Sequence, residues 1–173
     1  FMDECGLGIR LAKRLEQEDD QVMVVIVRAG SAFIKENESE YTINPGNSVD
    51  YEVLLEEVLG GDKKERSLKL IHLWGVTGSQ SLCHEFSLSL ESGRIDEVQD
   101  MGIFSLIFLA QAFGKRDFSQ KIQIEVVTDN MQKVIGEERL CPEKALVLGT
   151  VQVMAKEYPH LNCRSIDVVL PEF

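Results

Sequence analysis

Four short apolar runs constrain this chain more than any other feature. They are VMVVIV (22–27), LKLIHLWG (68–75), KIQIEVVT (121–128) and CRSIDVVL (163–170). Each has the length of a strand, and the first is β-branched almost throughout. The stretches between them carry helical spacing instead. Short apolar strands alternating with helices are the mark of βαβ units and a parallel sheet. The first run is continuously apolar, as expected of a strand buried on both faces.

The helices read as follows. Leu7, Leu11 and Leu15 recur at i, i+4 and i+8 with charges between them, which makes an amphipathic helix. An acidic run, Glu16 to Asp20, follows it. SAFIKENESEYTIN (31–44) breaks the rhythm and reads as a β-hairpin with a polar ENES tip, ended by Pro45 and Gly46. Ser48 is the expected N-cap of the next helix, with Asp50 and Glu52 in its first turn. Tyr51, Leu54, Leu55, Val58 and Leu59 form its apolar face, and Gly60 and Gly61 stop it. A polar loop spans about Val76 to Gly93. A helix from about Asp96 to Phe113, closed by Gly114, is apolar nearly all round. It should be buried on more than one side, as a core helix or against a neighbouring domain. Pro142 marks the first turn of a last helix, which Pro159 ends after Tyr158. Pro171 closes the final strand.

Only Phe1 and Met2 precede Asp3. A βαβ helix leaves the carboxyl end of a strand, so the expectation is that the chain starts at the tail of one. Its earlier residues then lie upstream, in a longer polypeptide. A length of 173 residues favours one domain. Such a domain buries roughly two-thirds of its unfolded surface.

A net charge of −11 repels nucleic acid and anionic membranes, so neither is an expected partner. Lys63, Lys64, Glu65 and Arg66 are a short mixed run that reads as a solvated loop. Cys5, Cys83, Cys141 and Cys163 form no C-x-x-C pair. With no signal peptide they read as reduced thiols, and the chain as cytoplasmic. The apolar run Ile103 to Ala110 falls far short of the roughly 20 residues that span a bilayer.

Gly6 and Gly8 give two-thirds of a G-x-G-x-x-G dinucleotide fingerprint, but Leu11 replaces the third glycine. The ribose-binding acid expected after the second strand is Arg28, a residue suited to a 2′-phosphate. The balance favours a structural strand-to-helix turn. Tyr158 and Asn162 match the Y-x-x-x-N spacing of some short-chain reductases. Pro159 interrupts the helix that this mechanism needs, and Ala145 stands where its serine belongs. His72, His84 and His160 share no ligand spacing, and His72 reads as a core histidine. No G-x-S-x-G elbow and no P-loop occur. For a receiver-like module, Asp129 ends a strand with only Asp3 and Glu4 as acidic companions, and no lysine is well placed.

Several stretches taken in order resemble one family. DECGLGIRLAKRL, VRAGSAF, YTINPGNSVDYEVLL, LIHLWGVTG and VVTDNMQKVIGEERLCPEKALVLGTVQVMAKEYPHL are similar to the structural, N-terminal subdomain of the ketoreductase of modular type I polyketide synthases. The resemblance covers nearly the whole chain. It implies an α/β, truncated Rossmann-like three-layer fold, with a mostly parallel sheet and a hairpin excursion, over residues 1–173. It implies a non-catalytic subdomain that braces a catalytic half. That half carries NADPH and the Ser/Tyr/Asn/Lys group, so no catalytic, cofactor or metal residue transfers to any position here. The implied partners are the catalytic subdomain and adjacent dehydratase, methyltransferase and carrier-protein domains of one polypeptide. The carrier brings the acyl chain on its phosphopantetheine. An active reductase and a pseudo-ketoreductase scaffold both fit. The alternatives are a self-contained NADP-dependent reductase, for which no base can be named, and a free-standing flavodoxin- or receiver-like binding module.

Overall fold

The apolar runs do build a parallel sheet, and helices cover it on two sides. The computed structural model describes residues 1–60, 67–78, 99–116, 121–133, 136 and 140–170. In chain order they form α1 (Leu7–Glu18), β1 (Ile26–Ala29), β2 (Ile34–Lys35), β3 (Glu40–Ile43), α2 (Ser48–Leu59) and β4 (Lys69–Gly75). Next come a π-helical turn (Asp100–Phe104) that leads into α3 (Ser105–Gly114), then β5 (Ile122–Asp129). A 3-10 turn (Pro142–Ala145) leads into α4 (Leu146–Glu157), and β6 (Leu161–Val168) comes last.

β4, β5 and β6 lie parallel side by side. β3 sits between β1, to which it is parallel, and β2, to which it is antiparallel. Phe1 and Met2 join the two groups. Phe1 N donates to Ile71 O (3.0 Å), Leu73 N donates to Phe1 O (2.9 Å), and Met2 N donates to Val27 O (2.9 Å). The order across the molecule is then β2, β3, β1, residues 1–2, β4, β5, β6, with β2 an antiparallel addition at the edge of the parallel set. That is the common doubly wound order, with residues 1–2 in the place of its first strand. Residues 1–2 are hydrogen-bonded on both sides in the position of the strand that the sequence expects before α1.

Alternation along the strands assigns the layers. Trp74, Ile122, Ile124, Val126 and Leu161 face α2, α3 and α4 and join their apolar residues in the main core. Leu73, Val76 and Val127 face the other way, toward Leu7 of α1, with Ile71, Ile166 and Val168 beside them. α3 is buried on more than one side, through Leu106, Leu109, Ala110 and Phe113.

Three local expectations are corrected. VMVVIV is not a strand buried on both faces. Pairing begins only at Ile26, and Val22 and Met23 are 40% and 59% exposed. A strand is no longer than its neighbours allow, and here they are Phe1–Met2 and the four residues of β3. α2 is capped by Asn47 rather than Ser48: the Asn47 side chain accepts from Val49 N. Asp50 is buried, and its carboxylate reaches back to Asn44 N (2.9 Å) and Asn47 Nδ2 (2.6 Å). Finally, Cys141 is disulfide-bonded, so the chain does not hold four reduced thiols, although Cys5 and Cys163 are free. The hairpin is confirmed, its tip closed by Asn37 Oδ1 accepting from Ser39 N (2.9 Å). Cys83, His84, Lys63 to Arg66 and Pro171 lie outside the described residues.

Candidate functional site

In an open doubly wound sheet, ligands bind outside the carboxyl ends of the strands, where the strand order reverses. Here that place is the gap between residues 1–2 and β4. Gly6 and Gly8 stand on one side of it. Gly6 adopts φ 84° and ψ 9° at the N-cap of α1, the left-handed conformation that glycine tolerates best. The first turn of a helix offers free N–H groups and a positive dipole end, which suit a phosphate. Asp3 already fills that position. Its carboxylate accepts from Leu7 N (2.9 Å) and Gly8 N (2.6 Å), and it is buried. Gly8 is also closed in by Met2, Leu73 and Asp3. The pair therefore makes a self-capped turn, and a pyrophosphate would have to displace a carboxylate.

Across the gap, Asp129 ends β5. Its two oxygens accept from Thr77 N (3.0 Å) and Gly78 N (2.9 Å), just past β4. Lys144, in the 3-10 turn before α4, forms a buried ion pair with Asp129 and donates to Thr77 Oγ1 (2.7 Å) and Asp129 O (3.1 Å). The sequence reading placed no lysine here, and the structure corrects it. The signal available was the first-turn position of Lys144 after Pro142. Lys144 gives a receiver-like reading its missing cation, but among the described residues its ammonium bonds Asp129 and Thr77. Asp167 on β6 completes the row: it accepts from Gln132 N (2.9 Å), Met131 N (3.2 Å) and Thr128 Oγ1 (3.0 Å). Three carboxylates of the chain itself thus occupy the N–H groups at the carboxyl ends of the strands.

A cleft of about 170 Å3 lies between these groups, walled by Trp74, Val76, Met101, Ile103, Leu146 and Val147. Drug-sized ligands occupy clefts of roughly 300 to 1,000 Å3. Cys5 follows Glu4, with its Sγ 3.9 Å from Val76 O. Burial first, then the charges of Asp3 and Asp129, push its thiol above the ordinary range, which disfavours the thiolate nucleophile.

The remaining sequence candidates are scattered. Tyr158 caps the end of α4 while Asn162 lies on β6, so the two share no helical face. Ala145 is in the preceding 3-10 turn. Arg28 pairs at 3.8 Å with Glu40 across the β1–β3 ladder. Leu11 is half-buried on α1. His72 is 1% exposed, stacked on Phe1 and edge-on to Trp74, with Nε2 3.0 Å from Ser105 Oγ. Ser105 Oγ also lies within donating distance of Met101 O (2.8 Å) and Gly102 O (3.0 Å); when its one proton goes to either carbonyl, the contact with His72 needs the imidazole proton on Nε2. Nδ1 has no hydrogen-bond partner among the described residues, so within them this core histidine is only half satisfied. Burial pushes it down to about 3. His160 lies against the Tyr158 ring, 6.2 Å between centroids. No three His, Cys, Asp or Glu side chains converge on a metal position among the described residues. Nor, among those residues, is any helix long and apolar enough to cross a membrane.

Comparison with known proteins places this geometry. No curated protein matches the chain. Among solved structures, one of an adenylation, ketoreductase and pseudo-Asub region of a keto acid-selecting NRPS module aligns at TM-score 0.77 and 24% identity. It covers 96% of this chain, which spans 13% of that one. An N-terminal ketoreductase from the macrolactin assembly line aligns at TM-score 0.69 and 19% identity, covering 95% of this chain and 30% of its own. At these identities the likeness is one of fold, and it confirms the truncated Rossmann-like architecture. The family model described as "Beta-ketoacyl synthase-like, N-terminal" matches residues 9–172, nearly the full length. The chain belongs to that family.

Proposed function

We propose that this chain is the non-catalytic structural subdomain of a polyketide synthase ketoreductase or pseudo-ketoreductase. It braces a catalytic subdomain and neighbouring domains of one cytoplasmic polypeptide while the growing chain is held on a carrier protein. One observation carries the reading. Where a Rossmann-like half would hold its dinucleotide, the backbone N–H groups are engaged by Asp3, Asp129 and Asp167. A dinucleotide brings two or more negative charges to a place that already holds three carboxylates and one lysine, and Coulomb repulsion opposes it. NADPH, the acyl-phosphopantetheine and the Ser/Tyr/Asn/Lys group belong, on this proposal, to the partner half. Dehydratase and methyltransferase domains are its proposed neighbours.

The test is calorimetric titration of the chain with NADPH and NADP. No saturable heat is expected up to millimolar cofactor. A micromolar dissociation constant would sink the proposal and favour the self-contained reductase.

A further inference from the structure

The solvent side of α3 is apolar where a surface helix is ordinarily polar. Ile103 and Ile107 are half-buried, and Phe104 is 40% exposed. α4 runs beside α3 in the same direction: Gly102 meets Val147 at one end, and Gly114 meets Tyr158 at the other. Leu146, Gly149 and Val153 share one face of α4 at i, i+3 and i+7, and Leu146 and Val153 are 50% and 54% exposed. Leu146 and Ile103 also line the same cleft, so the two apolar stripes adjoin. A contiguous exposed apolar patch marks an interaction surface. Gly149 marks this one independently. It stands inside α4, exposed, outside the left-handed region, and an added Cβ would meet nothing within 4 Å. Glycine weakens a helix relative to alanine, and nothing in the described chain asks for one here. A bare Cα on an exposed helix face lets another backbone come close.

Charge selects the occupant. The middle of this face carries none. Asp100 and Glu143 stand where the two helices begin, and Lys115 and Lys156, with Glu157, stand where they end. A face that is acidic at one end and basic at the other complements itself when turned end for end. The acidic run after α1 belongs to the helix on the other side of the sheet. We propose that α3 and α4 form a self-association surface. A second copy of this chain packs on it about a two-fold axis near Ile107, making a four-helix layer with Asp100 of each copy beside Lys115 of the other. Lys115 already pairs with Glu52 of α2, but its side chain is 61% exposed and its ammonium has three donors, so it can hold a second carboxylate. The surface does not rest on the bracing role: cofactor titration and self-association fail separately.

Sedimentation equilibrium of the full chain tests this. A reversible dimer of twice 19.5 kDa is expected, with a dissociation constant in the micromolar range. Gly149→Leu is expected to weaken it at least tenfold. Leucine is the better helix former, so the melting temperature of the dilute monomer should not fall. Asp100→Lys and Lys115→Glu, each alone, are expected to weaken the dimer at least tenfold. Mixed in equal amounts, the two variants should regain it, because each then meets its opposite charge on the other copy. A chain that stays monomeric at submillimolar concentration would overturn the proposal and leave the face to another domain of the polypeptide. A folded Gly149→Leu variant that dimerises unchanged would place the contact elsewhere and overturn it too. So would a mixture that associates no better than either variant alone.

Discussion

Gly8 has no room for a methyl group. An added Cβ would lie 2.7 Å from Met2 Sδ, 2.8 Å from Leu73 Cδ1 and 3.0 Å from Asp3 Oδ1. At Gly6 nothing stands within 4 Å, but the backbone is left-handed. The two glycines of one motif are therefore required for different reasons. Gly8→Ala should lose about 1–3 kcal/mol through overpacking, and Gly6→Ala about 1–2 kcal/mol through backbone strain. Urea denaturation separates them when combined with Leu73→Ala. Shortening Leu73 should shrink the Gly8→Ala penalty and leave the Gly6→Ala penalty unchanged; no coupling to Gly8 would refute the steric account. His72 makes a second residue-scale prediction. Its folded value is about 3 against 6.5 for the free imidazole, with burial the leading cause. The unfolded chain then takes up a proton near pH 6.5 that the folded chain refuses. Stability is fully present above pH 6.5 and falls as pH drops toward 3, by up to about 1.4 kcal/mol per pH unit. His72→Gln should flatten the melting temperature between pH 6.5 and 4.5. An unchanged slope would mean that other groups carry it.

At the scale of elements, Lys144 is the tie that matters. It joins the turn before α4 to the end of β5 and to Thr77 beyond β4. Breaking a buried pair from one side leaves a buried charge and costs about 3–5 kcal/mol. Lys144→Met should cost toward the lower end, since Asp129 keeps two N–H donors. The Lys144→Met, Asp129→Asn double variant should recover part of that loss in a double-mutant cycle, and strict additivity would contradict the pair. This tie was not legible in the sequence, because the two residues are fifteen apart on different elements and no periodicity links them. Elements with strong local patterns were legible: α1, α2, β4, β5 and the Pro142 start all fall within a few residues of their expected places. β1 was misread because hydrophobic content does not say where a neighbouring strand begins. The glycine turn was legible as a turn. Its self-capping by Asp3 depends on the bend at Gly6, which only coordinates show.

At the scale of the whole molecule, the sheet consists of two paired groups, β1–β3–β2 and β4–β5–β6, with Phe1 and Met2 between them. Within the second group, β5 and β6 pair without interruption over eight residues. Between the groups, among the described residues, the ladder is three hydrogen bonds. Native-state hydrogen exchange should show the Met2 and Leu73 amides opening at lower free energy than those of Ile124 and Val126. Equal protection would mean that both groups open as one unit. The same arrangement has a mechanical meaning. If a neighbouring domain pulls on β2 and β3 while another holds β6, the sheet's share of the load crosses the middle of the molecule on two residues, and the rest passes through the helix layer that packs on both groups. The weakest line under tension then lies between β1 and β4, beside the cleft, and each half could separate there with its own ladder intact.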